Sequence, residues 1–325
     1  MKTRRTALLH TAAAAAALHR GPVFAQQAFP TRAIKLIVPF AAGGSSDVMA
    51  RALGDKVGVT LHQSVVIDNR SGGGTIIGTQ AAATARPDGY TLLQVTPNAV
   101  VIASLKPNLP YDLEKDFVPI VGVGAVPLLL AVSASSNLRS VADLVALART
   151  TKGGLVYASG GIASLGHLAP AHLLSKLKIT GTHVPYRGVA PALQDVAANR
   201  AHIMLVSSLE GIQSLRAGHI RVLGVTSEQR LPNLPDVPTM AELGVADFTP
   251  AVWYGFMAPA GTPAPIVERL ASAFADAVKD TATRDRLIAL GLTIRIRNGA
   301  QLGQQIREEA QQWDRVIKEH KIVLE

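Results

Sequence analysis

The chain has 325 residues, enough for two α/β lobes with full cores or for one large domain. Its 48% hydrophobic and 17% charged residues are ordinary for a globular protein and exclude a disordered chain. The formal charge is +9, yet Lys and Arg form no run of five, so nucleic-acid binding has no footprint, and the absence of Cys excludes disulfides, thiolate catalysis and Cys-held metals.

The first 25 residues read as a secretory signal peptide. Lys2, Arg4 and Arg5 make a basic start, Ala7 to Leu18 is rich in Ala and Leu, and Val23-Phe24-Ala25 offers a small-residue cleavage pattern. The apolar part is too short for a stable membrane-spanning helix. Arg4-Arg5 fits either a twin-arginine signal or a plain basic start, and ordinary export is the simpler reading. Removing this segment takes four basic side chains with it and leaves +5. No later stretch approaches 18 uninterrupted apolar residues, so the mature protein is expected to be soluble.

Ile34 to Phe40 is a short apolar run rich in β-branched residues, which predicts a buried strand. Ala41-Ala-Gly-Gly44 follows as a loop of very small residues, and then a helix opens on Ser45-Ser46-Asp47. Ser45 or Ser46 is expected to cap that helix, while Gly43 and Gly44 leave its free N–H groups open to an anion. Val65 to Asn69 reads as a strand, Arg70 to Gly74 as a loop, and Thr75 to Ala85 as a helix. Pro87-Asp88-Gly89 is a turn into a strand at Tyr90 to Val95, which ends at Thr96-Pro97-Asn98 with Pro at the first helical position.

Val121 to Val132 is strongly apolar and extended, and the rhythm then restarts. Val141 to Arg149 reads as a helix, Leu155 to Ala158 as a strand, Ser159 to Ser164 as a small-residue loop, and His167 to Lys176 as a helix. Thr182 to Tyr186 is a strand, Arg187 to Val189 a loop and Ala190 to Asn199 a helix, with further strands at Ala201 to Val206 and Ile220 to Thr226. The three prolines of Leu231 to Pro238 mark an irregular loop, and Val252 to Ala258 is again extended. Helices at Pro263 to Lys279, Ala282 to Leu290 and Ala300 to His320 close the chain.

Strands alternating with helices predict wound sheets. Two sheet-forming halves joined by two extended crossings predict two lobes, 28–127 with 255–325 and 128–254. Each lobe then owns a strand, a small-residue loop and a helix N-terminus, Phe40 to Asp47 in one and Tyr157 to His167 in the other. Facing each other, they would grip an anion from both sides.

Enzyme readings fail on spacing. Ser164 in Gly161-Ile-Ala-Ser-Leu-Gly166 is one residue off a nucleophile elbow, and Ile77 occupies the last glycine position of a dinucleotide fingerprint. His167 and His172 are five apart and no metal-binding His pair occurs, so neither a metal nor a cofactor is expected. Asp47 finds its plain role at the helix N-terminus, His167 is divided between packing and ligand contact, and Trp253 and Tyr254 are expected to pack the crossing. Arg187 is either a carboxylate partner or an ordinary exposed loop arginine.

Together these residues resemble the Bug-type extracytoplasmic solute receptors of tripartite tricarboxylate transport systems. The likeness runs from Phe29-Pro30 to the last helix, through Pro39-Phe40-x-x-Gly43-Gly44-x-x-Asp47, Asn69-Arg70-x-Gly72-x-Gly74 and Pro87-Asp88-Gly89-Tyr90. It continues through Tyr157-Ala158-Ser159 with Ser164 and His167, Pro185-Tyr186-x-Gly188-x-x-Pro191-Ala192, Leu234-Pro235-Asp236-Val237-Pro238 and Ala258-Pro259-Ala260-Gly261-Thr262-Pro263. The resemblance implies an α/β, two-lobe periplasmic binding protein (a type II-like Venus flytrap), each lobe a wound mixed sheet with flanking helices. It implies a monomeric periplasmic receptor, not an enzyme, that passes a small carboxylate to the membrane subunits of the transporter. An orphan receptor acting on a two-component signalling kinase is the alternative. By position, Phe40, Ala42, Gly43, Ser46 and Asp47 would form the first ligand loop, Thr96 and Asn98 its flank, and Ser159, Gly160, Ser164 and His167 the facing loop. One departure stands out. The family's acids near Ala201-His202 and at Val206 are missing, which implies a ligand without an amine.

Overall fold

A computed structural model of the chain describes residues 29–322, apart from Pro107 and Ala163. The expected signal peptide lies outside these residues.

Strand β1 (Ile34–Val38) is buried at Ile34, Leu36, Ile37 and Val38, as a strand with sheet on both edges and helices on its faces must be. It pairs in parallel with β2 (Val65–Asn69) and β3 (Thr91–Val95). The helices α1 (Ser45–Leu61) and α2 (Ile76–Ala83) supply the return crossings that parallel pairing requires. Beyond β3 the sheet turns antiparallel. Its order is β10-β4-β9-β3-β1-β2, where β4 is Phe117–Ser133, β9 Ala251–Pro259 and β10 Thr293–Asn298.

The 17-residue β4 serves two sheets. From Phe117 to Pro127 it pairs with β9, and from Leu128 to Ser133 with β7 (Met204–Ser207) and β8 (Ile220–Val225). A parallel pair, β5 (Leu155–Ser159) and β6 (Gly181–Pro185), joins this second region through a bridge between Tyr157 and Ile203. Helices α3 (Pro97–Leu105), α4 (Val141–Thr150), α5 (Leu165–Lys176), α6 (Val189–Ala197) and α7 (Ser208–Arg216) follow, with α8 (Ala264–Lys279), α9 (Thr281–Ala289) and α10 (Gly299–His320) after β9. One apolar cluster runs through Leu93, Val100, Leu130, Leu168, Trp253 and Trp313, and a second gathers Leu129, Val196, Met204 and Val206. Residues 32–322 belong to one compact unit.

Most expected elements are present within a residue or two, and β4 extends past both expected ends. Two were missed. Helix α7 is capped by Ser207, whose hydroxyl accepts from the Glu210 N–H, a Ser-x-x-Glu start readable in the sequence. Strand β10 reads Thr-Ile-Arg-Ile-Arg-Asn and lies at a sheet edge, where its two arginines hide the apolar alternation. The α1 cap differs too. Gly44 holds the N-cap position without a side-chain bond, because the helix begins one residue early and places Ser45 and Ser46 inside its first turn.

Candidate ligand-binding site

The loop after β1 is built around Asp47. Only 3% exposed, its carboxylate accepts from the Gly43 N–H at 2.9 Å and from Arg51 Nε at 3.0 Å. Arg51 stands one turn further along the same helix face, and it also donates to Asn69 Oδ1 at 3.3 Å. Asn69 in turn donates to the Phe40 carbonyl at 3.1 Å. The Arg51 hydrogen bond holds the Asp47 carboxyl below its usual range, with the Gly43 N–H adding to the effect against the cost of burial. Asp47 is therefore a strut that shapes the loop. It also takes the Gly43 N–H that the sequence left open for a ligand. The N–H groups of Ser45 and Ser46, in the first turn of α1, have no intrahelical acceptor.

Strand ends support this turn from beneath. Gln94 on β3 donates to the Ser46 carbonyl at 3.2 Å. Tyr254 on β9 is 1% exposed; burial pushes its phenol up to about 12, and the adjacent Ser45 and Ser46 hydroxyls offset part of the rise. Trp253, its neighbour, donates to Glu309 on α10 at 2.6 Å. Both aromatics pack the crossing, as the sequence suggested. Beyond β3, Thr96 caps the start of α3 by position and is buried at 2%, with no hydrogen-bond partner for its hydroxyl. Asn98, in the first turn of α3, accepts from the N–H of Leu165 at 3.3 Å. The N-terminal ends of α3 and α5 thus meet.

The loop after β5 is held by short bonds of its own. The Ser159 hydroxyl lies 2.9 Å from the Gly161 carbonyl and 2.7 Å from His183 Nε2, while Ser164 donates to the Gly161 carbonyl at 2.7 Å. Gly160 accepts from the Gly188 N–H at 3.1 Å, and a Cβ on Gly160 would stand 3.1 Å from the Val189 nitrogen. A larger residue there would have to push the neighbouring turn back by a few tenths of an ångström. Arg187 sits on the adjoining loop and is exposed.

His167 is held in a ring stack. It is 6% exposed and stacks on His183 with ring centroids 3.6 Å apart, and Tyr157 packs against both rings, 5.1 Å from His183 and 6.2 Å from His167. Burial pushes His167 down to about 3 and His183 down to about 4, so both rings are neutral at pH 7. The Ser159–His183 contact is half of a nucleophile–base pair, but Ser159 is 0% exposed and engaged by Gly161. Among the described residues no group of three His, Asp or Glu is arranged to hold a metal. Reading the sequence missed His183, Gln94 and Arg51; the last was signalled by its place four residues after Asp47.

Val206 is a core residue at 1% exposure, packed with Leu129 in the second cluster, and His202 Nδ1 accepts from the Val156 N–H at 2.8 Å.

The sequence model described as "Tripartite tricarboxylate transporter family receptor" matches residues 49–322. Protein BugT of Bordetella pertussis is 35% identical over 293 residues, covering 90% of each chain. Among solved structures, R. palustris Rpa4515 with adipate superposes with a TM-score of 0.81 at 34% identity, over 91% of this chain and 99% of that one. MatC from Rhodopseudomonas palustris with bound malate gives 0.77 at 31% identity, over 89% and 100%. The mixed sheets with flanking helices are those of these periplasmic binding proteins, and this chain belongs to the tripartite tricarboxylate transporter receptor family.

Proposed function

We propose that this receptor captures one small carboxylate between two lobes and hands it to the membrane subunits of a tripartite transporter, catalysing no reaction. The lobes are 28–127 with 255–325 and 128–254, so the second crossing enters at Pro250 and runs into β9, Ala251–Pro259. The chain is exported to the periplasm, loses its signal near Ala25 and acts as a monomer.

One observation carries the reading. Asn98 from the first lobe reaches the N-terminal donor of α5 in the second, at 3.3 Å. Gln94, four residues earlier, braces the open first turn of α1. The start of α5 is thus set beside the lobe-one loops, where the open first turn of α1 and the side chains of Ser46 and Asn98 offer donors, and a carboxylate is the ligand that accepts from several at once. Two relatives were solved with adipate and malate, which supports carboxylate chemistry for this chain. In this reading Ser46, Asn98, Ser164 and the backbone of Ala42 and Gly160 touch the ligand or its waters. Asp47 and His167 hold the loops in shape.

A thermal-shift screen of residues 26–325 against mono-, di-, tri- and aromatic carboxylates, with sugars and amino acids as controls, tests it. A ligand at 100 times its dissociation constant adds about 2.7 kcal/mol of stability. A carboxylate hit that Ser46→Arg abolishes is the expected outcome. Silence from every carboxylate beside a hit from a sugar sinks the proposal.

A further inference from the structure

Thr226 follows β8 directly, is 1% exposed, and touches both segments that pass between the sheets. Its N–H donates to the Leu128 carbonyl at 3.0 Å, and the Leu128 N–H donates back to Oγ1 at 2.8 Å. The hydroxyl proton then goes to the Pro250 carbonyl at 2.7 Å. One hydroxyl accepts from the first crossing and donates to the second, as only Ser or Thr can do at that reach.

The place is specific. β4 exchanges its β9 partner for β7 and β8 between Pro127 and Leu128, and β9 begins at Ala251, paired with Pro127. Both crossings carry a proline here, Pro127 and Pro250, so neither offers an N–H at that residue and the main-chain ladder is interrupted. The Thr226 side chain supplies the missing link. Without it the Leu128 N–H and the Pro250 carbonyl would be stranded.

We propose that Thr226 is the hinge pin of the receptor: a positioning residue that locks the two crossing strands together, so that the lobes turn about a shared point rather than slide. The inference rests on the two-lobe reading above. A pinned hinge keeps a large fraction of molecules ready to close, and apparent affinity scales with that fraction.

The absence of Cys makes the test clean. Spin labels on Val59→Cys and Lys152→Cys, both exposed and one in each lobe, report the distance between lobes without background. In unliganded protein, Thr226→Val should broaden that distribution by several ångströms, whereas Thr226→Ser should restore the parent width. Affinity for the tightest carboxylate of the screen should fall about tenfold in the valine variant and recover in the serine variant, the scale of one or two lost buried hydrogen bonds. Should the valine variant fail to fold, Thr226→Ala removes the same hydroxyl with less bulk. A variant that loses thermal stability but keeps the parent distribution overturns the pin. If the parent distribution never responds to any carboxylate, the receptor reading fails instead, and the pin is still judged on the unliganded widths.

Discussion

At the scale of single residues, Asp47 decides the form of the first loop. Its buried carboxylate joins the Gly43 N–H to Arg51, and Arg51 joins Asn69, which holds the Phe40 carbonyl. The Arg51 side chain is 49% exposed, so solvent screens the ion pair, and the bond from the Gly43 N–H shares the work of holding the loop. Asp47→Ala should therefore cost about 1–2 kcal/mol in a denaturant titration and weaken carboxylate binding, since the loop loses its strut. Asp47→Asn keeps an acceptor for Gly43 and should retain most of both. Equal losses in the two variants would assign the role to charge instead. The i, i+4 spacing of Asp47 and Arg51 was legible in the sequence, but the Phe40–Asn69 bond was not, because it joins residues from separate strand ends.

At the scale of elements, β10 shows how a weak sequence signal is stabilised by its neighbour. Arg295 is exposed and Arg297 half-buried, and the pairing of the strand depends on the close backbone approach at Gly124 of β4. There φ is +152°, and a Cβ would lie 2.4 Å from the Thr293 carbonyl. Gly124→Ala should push β10 off the sheet edge at a cost of about 1–3 kcal/mol. Hydrogen exchange would locate the damage: amides of Thr293–Asn298 should lose protection while β1 keeps its own. Uniform loss of protection across both would mean that β10 is no separate unit. Helix α7 was missed for the opposite reason. Its cap was readable, but the helix has few buried residues, with only Ser208 and Gly211 inside.

At the scale of the whole molecule, one buried and two half-buried histidines shape the response to mild acid. His167 is pushed down to about 3 and His172 and His183 to about 4, chiefly by burial, against an ordinary value of 6.5. The unfolded chain therefore binds protons below pH 6.5 that the folded chain refuses. Stability is full above that pH and falls as pH drops toward 3–4, by about 1.4 kcal/mol per pH unit for each such ring. Urea midpoints at pH 7.5, 6.0 and 5.0 should decline accordingly. A His167→Gln, His183→Gln double variant should show a shallower decline. An unchanged slope in that variant would place the acid sensitivity elsewhere.

The sequence by itself determined the alternation of strands and helices, the small-residue loops after β1 and β5, and the family. These depend on local periodicity, turn chemistry and spacing, which are properties of neighbouring residues. Tertiary structure alone decided that β4 serves two sheets, that Asp47 faces inward to brace a loop, and that His167 stacks on His183. It also decided that Thr226 meets Leu128 and Pro250, residues far apart in the chain. Such contacts form only when distant segments are packed together, and no local pattern encodes which of the possible partners packing will select.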